Sequence, residues 1–300
     1  MRFTIFQDSR LGDRRENQDR VGYAYGRNRL LMVLADGMGG HLQGEIAAQI
    51  AVAEILRLFE REAGPRLARP AGFLVALLQA AHRAIAAYAA AHALPESPRT
   101  TCVACIVQDG TAWWAHAGDS RLYLLRGGHV AAATRDHSRV QQLLDAGLIS
   151  PAAAAVHPGR NRIYSGLGGD EAPIIDAGGG TALVAGDTLL LSSDGFWSQH
   201  PPDDIAAKLK ARPLLELMPA LLTEAQLLAR GSSDNLSVVA MTWESREEAH
   251  PPGPPAGGRH FTAVGDTTWP GGPGRPAGAS DAEFDRAIGA APAAPRKDSP

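Results

Sequence analysis

The chain has 300 residues, 45% hydrophobic and 20% charged, with a formal net charge of -3, a balance that suits one large or two small soluble domains with a substantial core. Without a basic stripe that charge gives no electrostatic case for nucleic acid as a partner. No uninterrupted apolar stretch approaches the ~20 residues of a membrane span, and Met1 to Asp8 lacks the apolar segment of a secretory signal, so a cytoplasmic protein without membrane contact is expected.

In chain order, Leu30-Leu31-Met32-Val33-Leu34 reads as a short buried strand ending at Asp36-Gly37. Gly44-Glu45 then opens a helix with Ile46, Ile50, Ala53, Leu56 and Phe59 along one face. A second helix is expected from Gly72 to His92, with Leu74, Leu78, Ala81, Ile85 and Tyr88 at helical spacing. Thr100 to Val107 and Thr111 to Ala117 are strand patterns separated by Asp109-Gly110, a hairpin signature, and Arg121 to Arg126 is a further strand. Cys102 and Cys105 are the two cysteines. Three apart in a strand they face opposite sides of the sheet, which predicts buried thiols rather than a metal pair or a disulfide.

The second half repeats the theme. Thr188 to Leu191 is a strand, helices are expected from Asp204 to Ala211 and from Leu214 to Ala229, and Leu236 to Trp243 is the last strand. Runs of strands broken by helix pairs predict an α+β sandwich of antiparallel sheets covered by helices. The three successive strands from Thr100 to Arg126 speak against a doubly wound parallel sheet. Residues 1–246 are read as one ordered domain. From His250 the chain turns rich in Pro, Gly and Ala, a composition that buries too little apolar area to offset ordering entropy, so 247–300 is read as a flexible tail. Within it Ser280-Asp281-Ala282-Glu283 fits a capping box, with Phe284 and Ile288 four apart, a pattern for a short helix on a partner; a solvated tail is the simpler reading.

Acidic motifs stand at the ends of apolar runs: Asn17-Gln18-Asp19, Asp36-Gly37-Met38-Gly39-Gly40, Gly118-Asp119-Ser120, Ser193-Asp194-Gly195 and Asp234-Asn235. Unpaired carboxylates within ~4 Å repel by about 4 kcal/mol per pair at an effective dielectric of 20, so a fold that gathers them must supply cations. Each Asp-Gly taken singly is also ordinary turn chemistry, and for Asp109-Gly110 that reading is sufficient. The glycines after Asp36 differ, because they let backbone approach a ligand closely.

Taken in order, Arg14-Arg15-Glu16-Asn17-Gln18-Asp19, Asp36-Gly37-Met38-Gly39-Gly40-His41, Gly118-Asp119-Ser120-Arg121, Asp136-His137-Ser138, Ser193-Asp194-Gly195 and Asp234-Asn235 resemble the metal-dependent PPM-type (type 2C) protein phosphatases over about residues 1–245. The resemblance implies a four-layer αββα sandwich with two Mn²⁺ or Mg²⁺ ions at one end. It implies that Asp36 bridges the metals, that the Gly37 carbonyl binds one, that Asp194 and Asp234 bind the other, and that Asp19 orients their waters or binds through them. Asp119 with Asp194 resembles a weaker third-metal site; the alternative for Asp119 is a turn residue before the strand from Arg121. All are hard oxygen ligands suited to Mg²⁺ or Mn²⁺ rather than zinc.

Arg14 fits the family's phosphate-gripping arginine, whereas Arg15 reads as surface charge. Where eukaryotic relatives carry a proton-donating His after Asp-Gly, this chain has Met38, as bacterial members commonly do; His41 and His137 are candidate substitutes, or else structural histidines. Gln18 replaces an acidic residue of some relatives. The stretch between Asp136 and Pro173 corresponds to a flap, in which Arg160 or Arg162 is expected to assist phosphoprotein binding. The implied function is hydrolysis of phosphoserine and phosphothreonine in proteins, opposing a bacterial Ser/Thr kinase. Two other readings fit the same residues: a phosphoprotein-binding module with little turnover, and a hydrolase of small phosphoesters.

Overall fold

The computed structural model describes residues 1–38, 43–62, 66–245 and 258–262. Strands β1 (Arg2–Arg10), β2 (Asp19–Tyr25) and β3 (Arg29–Asp36) precede helices α1 (Gly44–Arg61) and α2 (Pro70–Ala91). Next come β4 (Arg99–Thr100), β5 (Cys102–Gln108), β6 (Thr111–Ala117), β7 (Arg121–Arg126) and β8 (His129–Ala133), then short helices α3 (Arg139–Asp145) and α4 (Pro151–Ala155). β9 (Leu167–Gly168), β10 (Asp176–Ala182), β11 (Thr188–Ser192), α5 (Asp194–Trp197), α6 (Pro202–Ala211), α7 (Leu214–Leu228), β12 (Leu236–Ser245) and β13 (Gly258–Thr262) follow.

Two antiparallel sheets form the centre, one in the order β1-β12-β11-β7-β8 and the other β10-β6-β5-β3-β2-β13. The alternation of β3 shows how the layers arise. Leu31, Val33 and Ala35 pack with Ile55, Phe59, Leu74 and Ile85 of α1 and α2. Leu30, Met32 and Leu34 face the other way, onto Leu122, Leu189, Val239 and Met241 of the second sheet. The far face of that sheet buries Leu190, Val238 and Ala240 against Ile205, Leu217 and Leu221 of α6 and α7. Helix, sheet, sheet and helix therefore stack as the expected four-layer α+β sandwich.

The same alternation settles the cysteines. Cys102 belongs to the helix-side core and Cys105 to the inter-sheet core, both free and buried, with burial pushing both thiols well above the ordinary thiol range. Asp109 and Gly110 both have positive φ, 52° and 72°, as a two-residue hairpin of the primed type requires.

Several features differ from expectation. α2 is long and apolar enough, by length and composition, to cross a membrane; alanines sustain its hydropathy where Gln79, His82 and Arg83 interrupt any continuous run. Here its Leu74, Leu77, Leu78, Ala81 and Ile85 are buried in the helix-side core. The strand expected from Thr100 breaks at Thr101, because Thr100 pairs with Leu167 of β9 while the Thr101 amide bonds the Asp36 carbonyl. Within the 247–300 segment, Gly258–Thr262 pairs with Tyr25–Val21 of β2, supplying backbone partners to an otherwise bare sheet edge. Ser280–Gly289 lies outside the described residues.

Candidate metal centre

Strand ends bring the acidic residues to one edge of the sandwich. Asp19 opens β2 and Asp36 closes β3, and the two are directly paired across the ladder. From the other sheet, Asp194 follows β11 and begins α5, and Asp234 precedes β12. Asp119 lies in the turn through which the chain passes from β6 in one sheet to β7 in the other. Gly195 holds the junction tight: a Cβ there would collide with the Asn235 carbonyl oxygen. At Gly37 a Cβ would strike the backbone of Gly44, where α1 begins.

Neutral polar groups lock the surrounding backbone. The Asn235 carboxamide accepts from the Gln18 amide at 2.8 Å and donates to the Leu11 and Glu16 carbonyls at 2.8 and 3.0 Å, tying the Arg14 loop to β12. Thr101 Oγ1 accepts the Asp36 amide at 3.1 Å and lies 2.7 Å from Ser120 Oγ. Ser193 Oγ donates to Asp19 Oδ2 at 2.7 Å and accepts the Ser237 amide at 3.0 Å. Thr101 and Ser237 carry no signal in the sequence that would single them out, since Thr101 acts through its hydroxyl and Ser237 through its backbone amide, both placed by tertiary structure.

The electrostatics of this edge are strained without a cation. Burial, then the charges of Asp19, Asp194, Asp119 and Asp234, drive Asp36 well above the ordinary carboxylate range. Asp194 is pushed well up by burial and then by Asp119, Asp234 and Asp19. Asp19, fully buried, is raised to about 6, chiefly by desolvation, and Asp119 to about 7 by desolvation and then by Asp136. Asp19 Oδ1 is buried with no hydrogen-bond partner among the described residues. A buried oxygen without a donor, among carboxylates that raise one another's proton affinity, fits a hard divalent cation. Asp234 has a different neutraliser: Arg14 Nη2 donates to its Oδ2 at 2.6 Å.

The histidines resolve differently. His41 falls outside the described residues, as do Gly39 and Gly40. Met38 is half-buried, and its Cε lies where a Cβ on Gly166 would sit. His137 is buried; its Nδ1 accepts from the Gly118 amide at 3.3 Å and its Nε2 faces Asp176 Oδ2 at 3.3 Å. This leaves no ring nitrogen turned to solvent and makes His137 a structural histidine rather than the acid for a leaving group.

His116, His137 and Asp176 offer ligand atoms within 4.8 Å of one another, yet they are poorly built for a metal. The two rings stack at 4.7 Å with planes 25° apart, so their in-plane lone pairs do not converge. The Gly118 bond to Nδ1 also places the His137 proton on Nε2, the nitrogen that would have to ligate. Arg160 and Arg162 are exposed near the close of an excursion whose two ends are joined by the Arg139 amide bonding the Arg162 carbonyl. The excursion springs from His137, whose amide bonds the Gly118 carbonyl beside Asp119.

A family model described as protein phosphatase 2C matches residues 7–145. Serine/threonine protein phosphatase PstP of Mycobacterium tuberculosis is 37% identical over 231 residues, covering 75% of this chain; the chain spans only 42% of PstP's length. Serine/threonine phosphatase stp of Listeria monocytogenes is 32% identical over 240 residues, 78% of this chain and 93% of that protein. Among solved structures, the catalytic domain of PstP in complex with two manganese ions superposes with a TM-score of 0.65 at 32% identity, covering 81% of this chain and 98% of that one.

Proposed function

The chain belongs to the protein phosphatase 2C family, and from that premise we propose that it hydrolyses phosphoserine and phosphothreonine esters in proteins with two Mn²⁺ or Mg²⁺ ions. The observation that carries this reading is the convergence of Asp19 and Asp36 from one sheet with Asp194 and Asp234 from the other, packed so that their charges raise the proton affinity of Asp19, Asp36 and Asp194. These four, with the Gly37 carbonyl, would hold the two ions, and Asp119 with Asp194 a weaker third. When bound, the ions supply a water activated near neutral pH and neutralise charge on the phosphoryl oxygens.

The protein's own residues supply arrangement. Ser193 fixes Asp19 through Oδ2 and leaves Oδ1 as the open acceptor. Thr101 and Asn235 hold the backbone of Asp36 and of the Arg14 loop against relaxation when charge changes. Arg14, half-exposed and held on Asp234, is poised to give its planar guanidinium to two phosphate oxygens. Arg14→Ala is expected to raise KM for a phosphopeptide about tenfold with a smaller change in kcat, and Arg14→Lys to recover little of it; steady-state kinetics on one peptide decides. Met38 cannot donate a proton. The departing Ser or Thr oxygen would then take its proton from water at the site, where Asp36 is only partly buried.

Opposition to a Ser/Thr kinase, the cytoplasmic setting and a role of Arg160 or Arg162 in gripping phosphoproteins belong to the same proposal and rest on the family resemblance. The test is phosphate release from a phosphothreonine peptide and from a small aryl phosphate, each with Mn²⁺, Mg²⁺ or EDTA. Metal-dependent release from the peptide at higher kcat/KM supports the proposal. Release from the small ester alone points to a small-molecule hydrolase, and none from folded, Mn²⁺-loaded protein to a binding module.

A further inference from the structure

Asp119 is seated unlike the other carboxylates. Its backbone carbonyl accepts the Trp197 indole N–H at 3.0 Å, and Trp197 is the last residue of α5, the helix that Asp194 begins. One side chain therefore ties the Asp119 turn to the helix carrying Asp194. Over the Trp197 ring, 3.5 Å from its centroid, lies the guanidinium of Arg121. That guanidinium forks onto Asp136, Nε to Oδ1 at 2.8 Å and Nη2 to Oδ2 at 2.9 Å, and its Nη1 donates to the Tyr123 hydroxyl at 3.0 Å. Asp136 is 9% exposed, and its negative charge is the one felt most strongly at Asp119, with Arg121 acting in opposition.

We infer that Arg121 is a positioning residue for the metal centre: it pins Trp197, cancels Asp136, and so keeps Asp119 seated and able to ligate a cation beside Asp194. The inference rests on the two-metal reading above. Stacking on a ring face, forking onto a carboxylate and reaching a phenol at once need a planar, five-donor cation, which a lysine ammonium is not. Loss of Arg121 leaves Asp136 unpaired beside Asp119 in a water-poor pocket, where an uncompensated charge acts at greatest strength.

The measurement is calorimetric titration of Mn²⁺ into the full chain, with melting in EDTA recorded alongside. Asp119→Ala defines the binding step that Asp119 contributes. Arg121→Gln is expected to weaken that step about tenfold, in the range seen for residues that support metal ligands, and Arg121→Lys by nearly as much. Trp197→Phe, which keeps the ring but loses the N–H, is expected to weaken it about threefold. Adding Asp136→Asn to Arg121→Gln removes the stranded charge and recovers most of the affinity, a rescue that general loosening of the fold would not produce. Wild-type affinity in folded Arg121→Gln, or no rescue by Asp136→Asn, overturns the inference while leaving the metal reading intact. Absence of Mn²⁺ binding by the wild type overturns both.

Discussion

Asp36→Asn is expected to lower phosphate release from a phosphothreonine peptide by about 10³-fold or more, and at the same time to raise the melting temperature of the metal-free protein. The loss of activity follows from the position of Asp36. It closes β3 directly opposite Asp19, and it is the carboxylate on which the charges of Asp19, Asp194, Asp119 and Asp234 all act. Removing an electrostatic element aimed at developing charge typically costs 10²–10³-fold, and dispersing a metal pair costs more. The gain in stability has the same origin. Without cations Asp36 is held well above the ordinary carboxylate range, so folding makes it take up a proton that the unfolded chain has released; an amide needs none, which relieves on the order of 1–2 kcal/mol, equivalent to roughly 2–8 °C for a domain of this size. Asp194→Asn is expected to behave alike. Melting in EDTA beside a phosphate-release assay gives both readings. A variant that loses activity and also melts lower would mean that Asp36 supports the fold rather than a strained site.

Mn²⁺ is expected to stabilise the protein strongly, and by more as pH rises. Asp19 and Asp119 are raised to about 6 and about 7, and Asp36 and Asp194 well above their ordinary value. Between about pH 4 and pH 7 the folded metal-free chain therefore keeps protons that the unfolded chain has released. Stability changes with pH in proportion to protons bound unfolded minus protons bound folded, a negative number here, so metal-free stability falls as pH rises through that window. Cations bind the ionised form and displace those protons. At a free Mn²⁺ concentration 100-fold above Kd, each site adds about 2.7 kcal/mol, roughly 5–10 °C in melting temperature. Melting at pH 5.5, 6.5 and 7.5, in EDTA and in Mn²⁺, should show the gap widening. A gap that narrows with pH would contradict the protonation pattern of the site.

The parts of the fold legible in the sequence are those whose signal is local. The apolar run Leu30–Leu34, the helical stripe from Ile46 to Phe59 and the Asp109-Gly110 hairpin are all found where expected. β1, β8 and β10, which carry no such signal, are edges. β10 contains three consecutive glycines and is mostly exposed, β8 alternates with small residues, and β1 is only partly buried along most of its length. Each is held by the ladder of its neighbour rather than by its own composition. β13 lies in a stretch whose composition argues against any element, and its ladder with β2 is a tertiary gain that no local window can register.

The site divides the same way. Asp19, Asp36, Asp119, Asp194 and Asp234 are recognisable by motif. The Trp197–Arg121–Asp136 clamp is not, because Trp197 meets Asp119 across 78 residues of sequence. His137 shows the converse: its motif position invites a catalytic role, and its burial between Gly118, Asp176 and Tyr164 assigns it a structural one.

The carboxylates proposed as metal ligands come from both halves of the chain and from both sheets, and this would make the site indivisible. Residues 1–145 carry Asp19, Asp36 and Asp119; the remainder carries Asp194 and Asp234. Neither fragment can assemble the centre, yet a break in the exposed turn around Gly147 would leave β1 to meet β12, and β7 to meet β11, across two separate chains. Phosphate release would then report complementation between the halves, with the cations serving as a reversible crosslink whose strength an experimenter sets by adding or chelating Mn²⁺.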